Sequence, residues 1–139
     1  MRRNDGIRLV LAAVVLTAAV GLCACAKEYP AENESQIESF LKDQEISVAG
    51  EPSKKDIFIP EEFSDVYEGY NELQISQGFD LRGYKAREAQ VYTYDVVSVC
   101  GEHREDTQAH IIVCDGRIIG GDIAGTAIDG EMSGVIKKK

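Results

Sequence analysis

The two histidines of the chain lie between two cysteines, in the order Cys100, His103, His110 and Cys114. Thiolate sulfur and imidazole nitrogen are ligands that zinc takes in tetrahedral sites. The spacing differs from the paired Cys-x2-Cys and His-x3-His ligands of zinc modules, and a strand predicted over 109–115 carries Cys114 away from the loop before it. We therefore predict half-buried thiols and an exposed loop histidine, with no metal and no cofactor.

Nucleophilic catalysis needs a serine, threonine or cysteine beside a base and a group that orients the base. Both histidines lie in or next to one predicted loop, and no Gly-x-Ser-x-Gly surrounds a serine. The chain has 24 acidic residues, so chance carboxylate pairs are certain and carry no weight. No phosphate-binding glycine motif occurs. The sequence predicts no catalytic residues, and a small envelope enzyme or enzyme inhibitor is the alternative.

Tyrosines supply the first candidate binding residues. Tyr67, Tyr70 and Asn71 lie on a predicted helix, and alternation places Tyr92 and Tyr94 on one face of a strand, where that helix is expected to pack. Core packing explains such a set, but tyrosine is also enriched at recognition surfaces. We predict that Tyr67, Tyr70 and Asn71 border a groove for an extracellular peptide or glycan.

Asp122 is the second candidate, because it follows two glycines at 120 and 121. This run places an acid at a tight bend of the backbone. Such a bend either ends a strand, with the carboxylate capping it, or presents the acid in a binding site. Asp122 therefore joins the tyrosine set as a predicted binding residue.

The first helix is predicted to begin at Asn33 or Ser35, with Glu38 completing a capping box after Ser35. Its apolar face carries residues at helical spacing: Ile37, Phe40 and Leu41. A short strand over 46–48, a turn over 49–53 and a second strand over 55–59 are predicted to follow.

The second helix is predicted to open at Pro60, with Glu61 and Glu62 beside its positive end. Gly78 is expected to close it in the left-handed conformation. Its predicted apolar face carries Phe63, Val66, Tyr67, Tyr70 and Leu73.

A long strand over 87–100 and a hairpin with a type I′ turn at Asp115-Gly116 indicate an antiparallel sheet. The predicted fold class is α+β, with two helices packed on one face of this sheet. Strands 91–100 and 109–115 are expected to be neighbours, with Cys100 opposite residue 109 or 110. Cys114 then lies about four residues further along its strand, and each residue adds ~3.3 Å. This separation disfavours a disulfide, although an exported chain with two cysteines beyond its signal segment suggests one.

The N-terminus predicts export. Arg2, Arg3 and Arg8 precede an uncharged apolar run over 9–26. Three fates remain open: a lipoprotein signal with Cys25 as the acylated residue, an uncleaved anchor, or cleavage after Ala26. We predict a signal peptide or membrane anchor over 1–26, a flexible tether over 27–34 and one domain over 35–136.

The charge distribution predicts where the domain resides. Basic residues before the apolar run stay in the cytoplasm, so the domain is expected on the extracytoplasmic side of the cell membrane. The net charge of −9 gives no electrostatic footprint for nucleic acid. Residues 27–72 hold 4 basic and 13 acidic residues, which disfavours close docking onto anionic lipid. This half is expected to be a solvated face or to attract a cationic partner.

Several stretches together resemble a bacterial family of anchored or exported small proteins, domain of unknown function 4830. They are FLK at 40–42, IPEEFSDVYEGYNELQ at 59–74, QGFDLRGYK at 77–85, YTY at 92–94 and GRIIGGD at 116–122. The resemblance covers about residues 37–125. It implies one α+β domain behind a membrane signal and assigns neither an activity nor catalytic residues. The sequence therefore predicts a membrane-tethered, non-catalytic binding or accessory domain, whose partner is an envelope protein, a peptide or a glycan.

Overall fold

The computed structural model describes residues 27–138. The signal or anchor predicted for 1–26, with its Cys25, lies outside the described residues. The helices are α1 (Glu34–Asp43) and α2 (Asp65–Ser76), with a 3₁₀ turn at Leu81–Tyr84. The strands are β1 (Ile46–Phe58), β2 (Glu88–Val99), β3 (Glu102–His103), β4 (Thr107–Cys114), β5 (Arg117–Gly125) and β6 (Met132–Ser133).

The strands form one sheet in the order β1-β2-β4-β5-β6, and β3 pairs with the end of β2. Every pair of neighbours is antiparallel, so the predicted α+β class and the antiparallel sheet are confirmed. The β4–β5 hairpin turns at Asp115 (φ 50°) and Gly116 (φ 71°). Two successive positive φ angles are those of the predicted type I′ turn.

The two helices lie on opposite faces of the sheet, not on one face as the sequence pattern suggested. The register sets Tyr92 opposite Ile111 and Val91 opposite Ile112. The buried face of α1 packs in the cluster that holds Tyr92 and Ile111, whereas the tyrosines of α2 pack in the cluster that holds Val91 and Ile112. The uninterrupted apolar run over 111–114 is typical of a strand that is covered on both faces.

The first helix agrees with the prediction, and of the two predicted caps the structure has Asn33. Ile37, Phe40 and Leu41 are buried. Asn33 is the N-cap, and its side chain accepts the Gln36 N–H at 3.1 Å. Ser35 is therefore a helical residue, and the capping box predicted for it does not form.

The predicted turn over 49–53 is an irregularity inside one long strand. Ala49 pairs with Asp95 and Ser53 with Thr93, so three residues of β1 stand opposite one residue of β2. Gly50 takes a φ of 70° there. Such bulges bend an edge strand and obstruct pairing with a further strand. The residues that predicted a turn do interrupt the strand, but β2 is long enough to pair with β1 on both sides of the interruption.

Helix α2 begins five residues later than Pro60, because Ser64 is its N-cap and accepts the Tyr67 N–H at 3.2 Å. Val66 is 84% exposed, so it is not part of the buried face. The end of the helix matches the prediction: Gly78 has φ 92°. The Phe79 N–H donates to the Gln74 carbonyl in a Schellman cap.

The segment predicted as a flexible tether contacts the folded domain from residue 29 onward. Pro30 forms a bridge with Arg117, and the Ala31 N–H donates to the Gly116 carbonyl at 2.8 Å. The Tyr29 ring packs against Phe40 with centroids 4.8 Å apart. At the other end of the chain, Val135 is buried. The folded unit therefore runs from 29 to 136.

Cys100 and Cys114 lie near opposite ends of β2. Val113, next to Cys114, pairs with Gln90, and Cys100 follows ten residues further along, about 33 Å at the rise of a strand. The expected register, with Cys100 opposite 109 or 110, is wrong, because Tyr94 pairs with Ala109. Both cysteines are free thiols, Cys100 exposed and Cys114 buried.

Candidate functional site

Asp122 and Tyr70, predicted separately as binding residues, meet between α2 and the sheet. The Tyr70 hydroxyl donates to Oδ1 of Asp122 at 2.7 Å. The other carboxylate oxygen, Oδ2, lies 2.9 Å from Nδ1 of His110. The Asp122 side chain is 4% exposed and that of His110 30%, so the carboxylate is enclosed while the imidazole reaches the surface. We call these three residues the Tyr70–Asp122–His110 cluster.

Two glycines of β5 allow close contacts beside this cluster, with the Gln74 side chain of α2 at Gly120 and with the β4 backbone at Gly121. A Cβ at Gly120 would lie 2.9 Å from Oε1 of Gln74, and one at Gly121 would lie 2.7 Å from the His110 carbonyl oxygen. The contact at Gly121 is with a backbone oxygen that has little room to move, so this position requires glycine, whereas at Gly120 the Gln74 side chain would have to shift to admit a Cβ. Asp122 itself pairs with His110 within regular strand. The predicted bend at 120–122 is therefore wrong, and the glycines permit close packing instead.

Two glutamines, Gln74 on α2 and Gln77 at its C-cap, bind backbone groups at the edge of β5. Gln74 Oε1 accepts the Gly121 N–H at 2.8 Å, and Gln77 Nε2 donates to the Gly121 carbonyl at 2.9 Å. Gln77 Oε1 also accepts the N–H groups of Val135 and Ile136, at 2.7 and 3.2 Å. These amides satisfy backbone groups that a further strand would otherwise pair with. They also fix the C-terminal segment to α2.

The environment of the cluster shifts two pKa values. Burial, followed by the charge of Asp122, raises the pKa of the Tyr70 phenol, which keeps the hydroxyl a donor. The hydrogen bond to Asp122 raises the pKa of His110, against the opposing effect of burial. A proton on Nδ1 is directed to the carboxylate, so Nε2 is the nitrogen left for a ligand or for proton transfer.

The other tyrosines divide between the two faces of the sheet. Tyr67 is half-buried beside Tyr70, and its ring centroid lies 4.5 Å from that of Phe63. Tyr92 and Tyr94 are buried in the cluster under α1. The predicted tyrosine set therefore does not line one groove, although Tyr67 and Tyr70 remain neighbours on α2.

Asn71 is 1% exposed, and both ends of its amide bind the loop after α2. Its Nδ2 donates to Asp80 at 2.9 Å, and its Oδ1 accepts the Leu81 N–H at 2.7 Å. Asp80 also accepts bonds from Arg82, and Arg82 and Asn71 together lower the pKa of the Asp80 carboxyl. This position suits support of the loop rather than direct contact with a ligand.

A groove of about 760 Å³ crosses the α1 face of the sheet, away from all four predicted binding residues. It lies between β1, β2 and the segment that follows Pro30. The Phe58 side chain beside it is 62% exposed, and the Lys54 ammonium lies 5.4 Å from the Tyr92 ring centroid. The side chains that line the groove include Glu32, Lys54, Asp56, Phe58, Gln90 and Tyr92.

A smaller depression of about 300 Å³ lies on the other side of the β4–β5 hairpin. Tyr84, Arg87, Asp115 and Arg117 line it. Arg87 pairs with Asp115, and Arg117 NH1 pairs with Glu28 at 3.0 Å. The side chains of Arg87 and Arg117 remain 44% and 54% exposed.

No group of three or more potential metal ligands comes together within residues 27–138. The sequence run considered for zinc is dispersed, because His103 lies at the β3 end of the sheet and His110 contacts Asp122. No helix in that range is long and apolar enough to cross a membrane.

The fold and its clusters define a small α+β domain, an antiparallel sheet covered by one helix on each face. The family model described as "Domain of unknown function (DUF4830)" matches residues 40–123. This range is more than half of the chain, so the chain belongs to that family, as the resemblance implied. No curated protein and no solved structure matches the chain.

His110 is the cluster member that sequence reasoning missed, because it was weighed only as a zinc ligand and as a base for nucleophilic catalysis. One signal was available. His110 and Asp122 are polar residues beside the apolar runs of two strands joined by the Asp115-Gly116 turn, and such a hairpin can bring them opposite each other. Buried polar groups in that setting need partners.

Proposed function

We propose that this chain is a membrane-tethered, extracytoplasmic binding domain without catalysis of its own, and that its ligand occupies the groove beside Phe58 and Tyr92. The observation that carries the proposal is the groove itself. Its volume of about 760 Å³ falls within the range of small-molecule and peptide pockets. The proposed ligand is an extracellular peptide or glycan, free or presented by an envelope protein.

The chemistry of the groove supports such a ligand. Phe58 and Tyr92 supply aromatic surface, on which apolar side chains or sugar rings pack. The polar groups beside them are Lys54, Asp56 and Gln90, and the Gln90 amide donates to Asp56 at 3.1 Å. These side chains offer both donors and acceptors. Since β1 is an edge strand, its residues 54–58, beyond the bulge, also offer unpaired backbone groups to an extended peptide.

The tether is supported by the sequence. Arginines precede an apolar run that ends in a cysteine with small neighbours, and this order is that of an export signal with a lipid acceptor. Intact mass of the membrane fraction tests it. We expect a mature chain that begins at Cys25 with added acyl mass, which is lost in Cys25→Ala. A soluble chain beginning at Lys27 would contradict the tether.

The binding groove is tested by a photo-crosslinking amino acid placed at Phe58 in cells. The matched control is Val66, which is also an exposed apolar residue but lies on the opposite face. We expect a discrete crosslinked species from position 58 that is absent from position 66. Gln90→Ala should reduce it, whereas Gln108→Ala, at the far part of the sheet, should leave it unchanged. Identical crosslinks from both positions would refute the groove as the site.

A second candidate function, a small envelope enzyme, is favoured by the Tyr70–Asp122–His110 cluster. Groups with shifted pKa values gather at active sites, although structural networks shift them as well. Both carboxylate oxygens of Asp122 have hydrogen-bond partners, Tyr70 and His110. The same bonds would also occur in a network whose role is purely structural. Hydrolysis of envelope peptides or glycans that disappears in His110→Ala, with the fold intact, would establish this candidate over the binding domain.

A further inference from the structure

We propose that the depression lined by Tyr84, Arg87 and Arg117 binds the headgroup of a zwitterionic phospholipid, with the phosphate on the two guanidinium groups. This end of the domain then lies on the membrane surface. The inference rests on the membrane tether proposed above and adds to it a contact surface, an orientation and a lipid class.

The point at which the chain enters the fold carries the argument for orientation. Tyr29 is held by its carbonyl, which accepts the Ile118 N–H at 2.9 Å, and Pro30 bridges Arg117. Four peptide units separate Tyr29 from Cys25, and each spans at most about 3.6 Å. A lipid attached at Cys25 would therefore hold Tyr29 within roughly 14 Å of the membrane surface. An uncleaved anchor that ends at Ala26 would hold it closer still. The hairpin end of the sheet is thus held at the bilayer.

The depression at this end has the chemistry of a phosphate site. Its volume of about 300 Å³ accommodates a headgroup. Each ion pair engages one terminal nitrogen, NH2 of Arg87 and NH1 of Arg117, whereas a guanidinium carries five N–H donors. Arginine forks match the geometry of phosphate oxygens. The Tyr84 ring, 5.8 Å from the Arg87 guanidinium carbon, adds an aromatic surface of the kind that is enriched at membrane interfaces.

The charge balance selects the zwitterionic class. Asp115 and Glu28 neutralise the two arginines locally, so the depression presents both signs of charge. A zwitterionic headgroup matches this arrangement, with its phosphate on the arginines and its ammonium beside Asp115. The acidic residues that predominate in 27–72 oppose approach to an anionic surface. No long-range attraction is needed, because the tether supplies a high local concentration of headgroups.

The test uses the full chain, purified from membranes and reconstituted into vesicles of phosphatidylethanolamine and phosphatidylcholine. The chain has no tryptophan, so Tyr84→Trp provides a single fluorescent reporter and keeps an aromatic ring in the depression. The control reporter is His103→Trp, an exposed site near the other end of β2. A quencher attached to lipid headgroups should quench the Tyr84→Trp reporter and leave the His103→Trp reporter unaffected. Replacing phosphatidylcholine by phosphatidylglycerol should not increase the quenching.

Arginine substitutions then separate the depression from the tether. Arg87→Gln or Arg117→Gln in the Tyr84→Trp chain should lower the ratio of docked to undocked domain roughly tenfold, the loss expected for one charge-assisted hydrogen bond. Arg104→Gln, which removes the same charge near the far end, should have no effect. All variants should float with the vesicles.

The outcomes distinguish the two proposals. Flotation without quenching at position 84, quenching that survives both arginine substitutions, or a preference for anionic vesicles would each overturn the headgroup site while leaving the tether in place. A wild-type chain that does not float would overturn the tether, and the headgroup site with it.

Discussion

Gln77→Ala, at the C-cap of α2, should destabilise the fold although it leaves the apolar core intact. The side chain makes three hydrogen bonds to backbone groups far away in sequence. Its Nε2 donates to the Gly121 carbonyl at 2.9 Å, and its Oε1 accepts from Val135 at 2.7 Å and Ile136 at 3.2 Å. Alanine removes all three bonds and leaves the backbone groups without their partner.

The magnitude follows from the number of bonds. A hydrogen bond contributes about 1 kcal/mol net to stability, and more when the abandoned partner stays buried. Gln77 is half-buried, so water reaches part of the site, and we expect a loss of about 3 kcal/mol in the free energy of unfolding. The matched control is Gln108→Ala, whose amide makes one exposed bond to Asp95 at 3.3 Å. This control should cost less than about 1 kcal/mol.

Chemical denaturation followed by far-ultraviolet circular dichroism measures both variants. Hydrogen exchange adds a local readout, because the amides of Val135 and Ile136 should lose protection in Gln77→Ala even where the rest of the sheet stays folded. A loss equal to that of Gln108→Ala, with protection at 135 and 136 unchanged, would refute the role assigned to Gln77.

Three further predictions concern the site, and a fourth concerns an exposed position of α2. The hydrogen bond to Asp122 raises the pKa of His110, so the pair should stabilise the fold fully below the ordinary histidine pKa and lose that contribution as pH rises through the raised pKa. The free energies of unfolding of wild type and His110→Asn, measured against pH, should therefore converge at high pH. Tyr70→Phe should cost about 1–3 kcal/mol, since a bond to a buried carboxylate is lost, and a denaturation curve with an unchanged midpoint would contradict this. Gly121→Ala should destabilise strongly or prevent folding, because its Cβ would lie 2.7 Å from a backbone oxygen. Gly69→Ala, where a Cβ meets nothing within 4 Å, should stabilise the helix by about 0.5–1 kcal/mol.

Local signals predicted several elements correctly. The left-handed Gly78 at the end of α2, the turn at Asp115-Gly116 and the buried face of α1 each follow from residues a few positions apart. The start of α2 was misread for the same local reason. Pro60 and the two glutamates after it fit a helix start, but Ser64 supplies the cap that forms.

The candidate site was only partly visible in the sequence. Tyr70 and Asp122 were chosen for unrelated reasons, and their hydrogen bond joins residues 52 positions apart. Asn71 has the same polar character as a binding residue, but it is buried against the turn at Leu81. No local pattern distinguishes an asparagine that supports a loop from one that meets a ligand, because only burial separates them.

The sequence by itself determined the family, the α+β class, the helix cap at Gly78 and the hairpin turn, because these depend on residue types and on contacts within a few positions. The tertiary structure decided which face each helix covers, the pairing of β1 across its bulge, the union of Tyr70 with Asp122 and His110, and the place of Tyr29 at the sheet edge. Those features depend on contacts between distant parts of the chain. Such contacts contribute free energy only once the sheet has assembled and water has been excluded, so short-range patterns do not encode them.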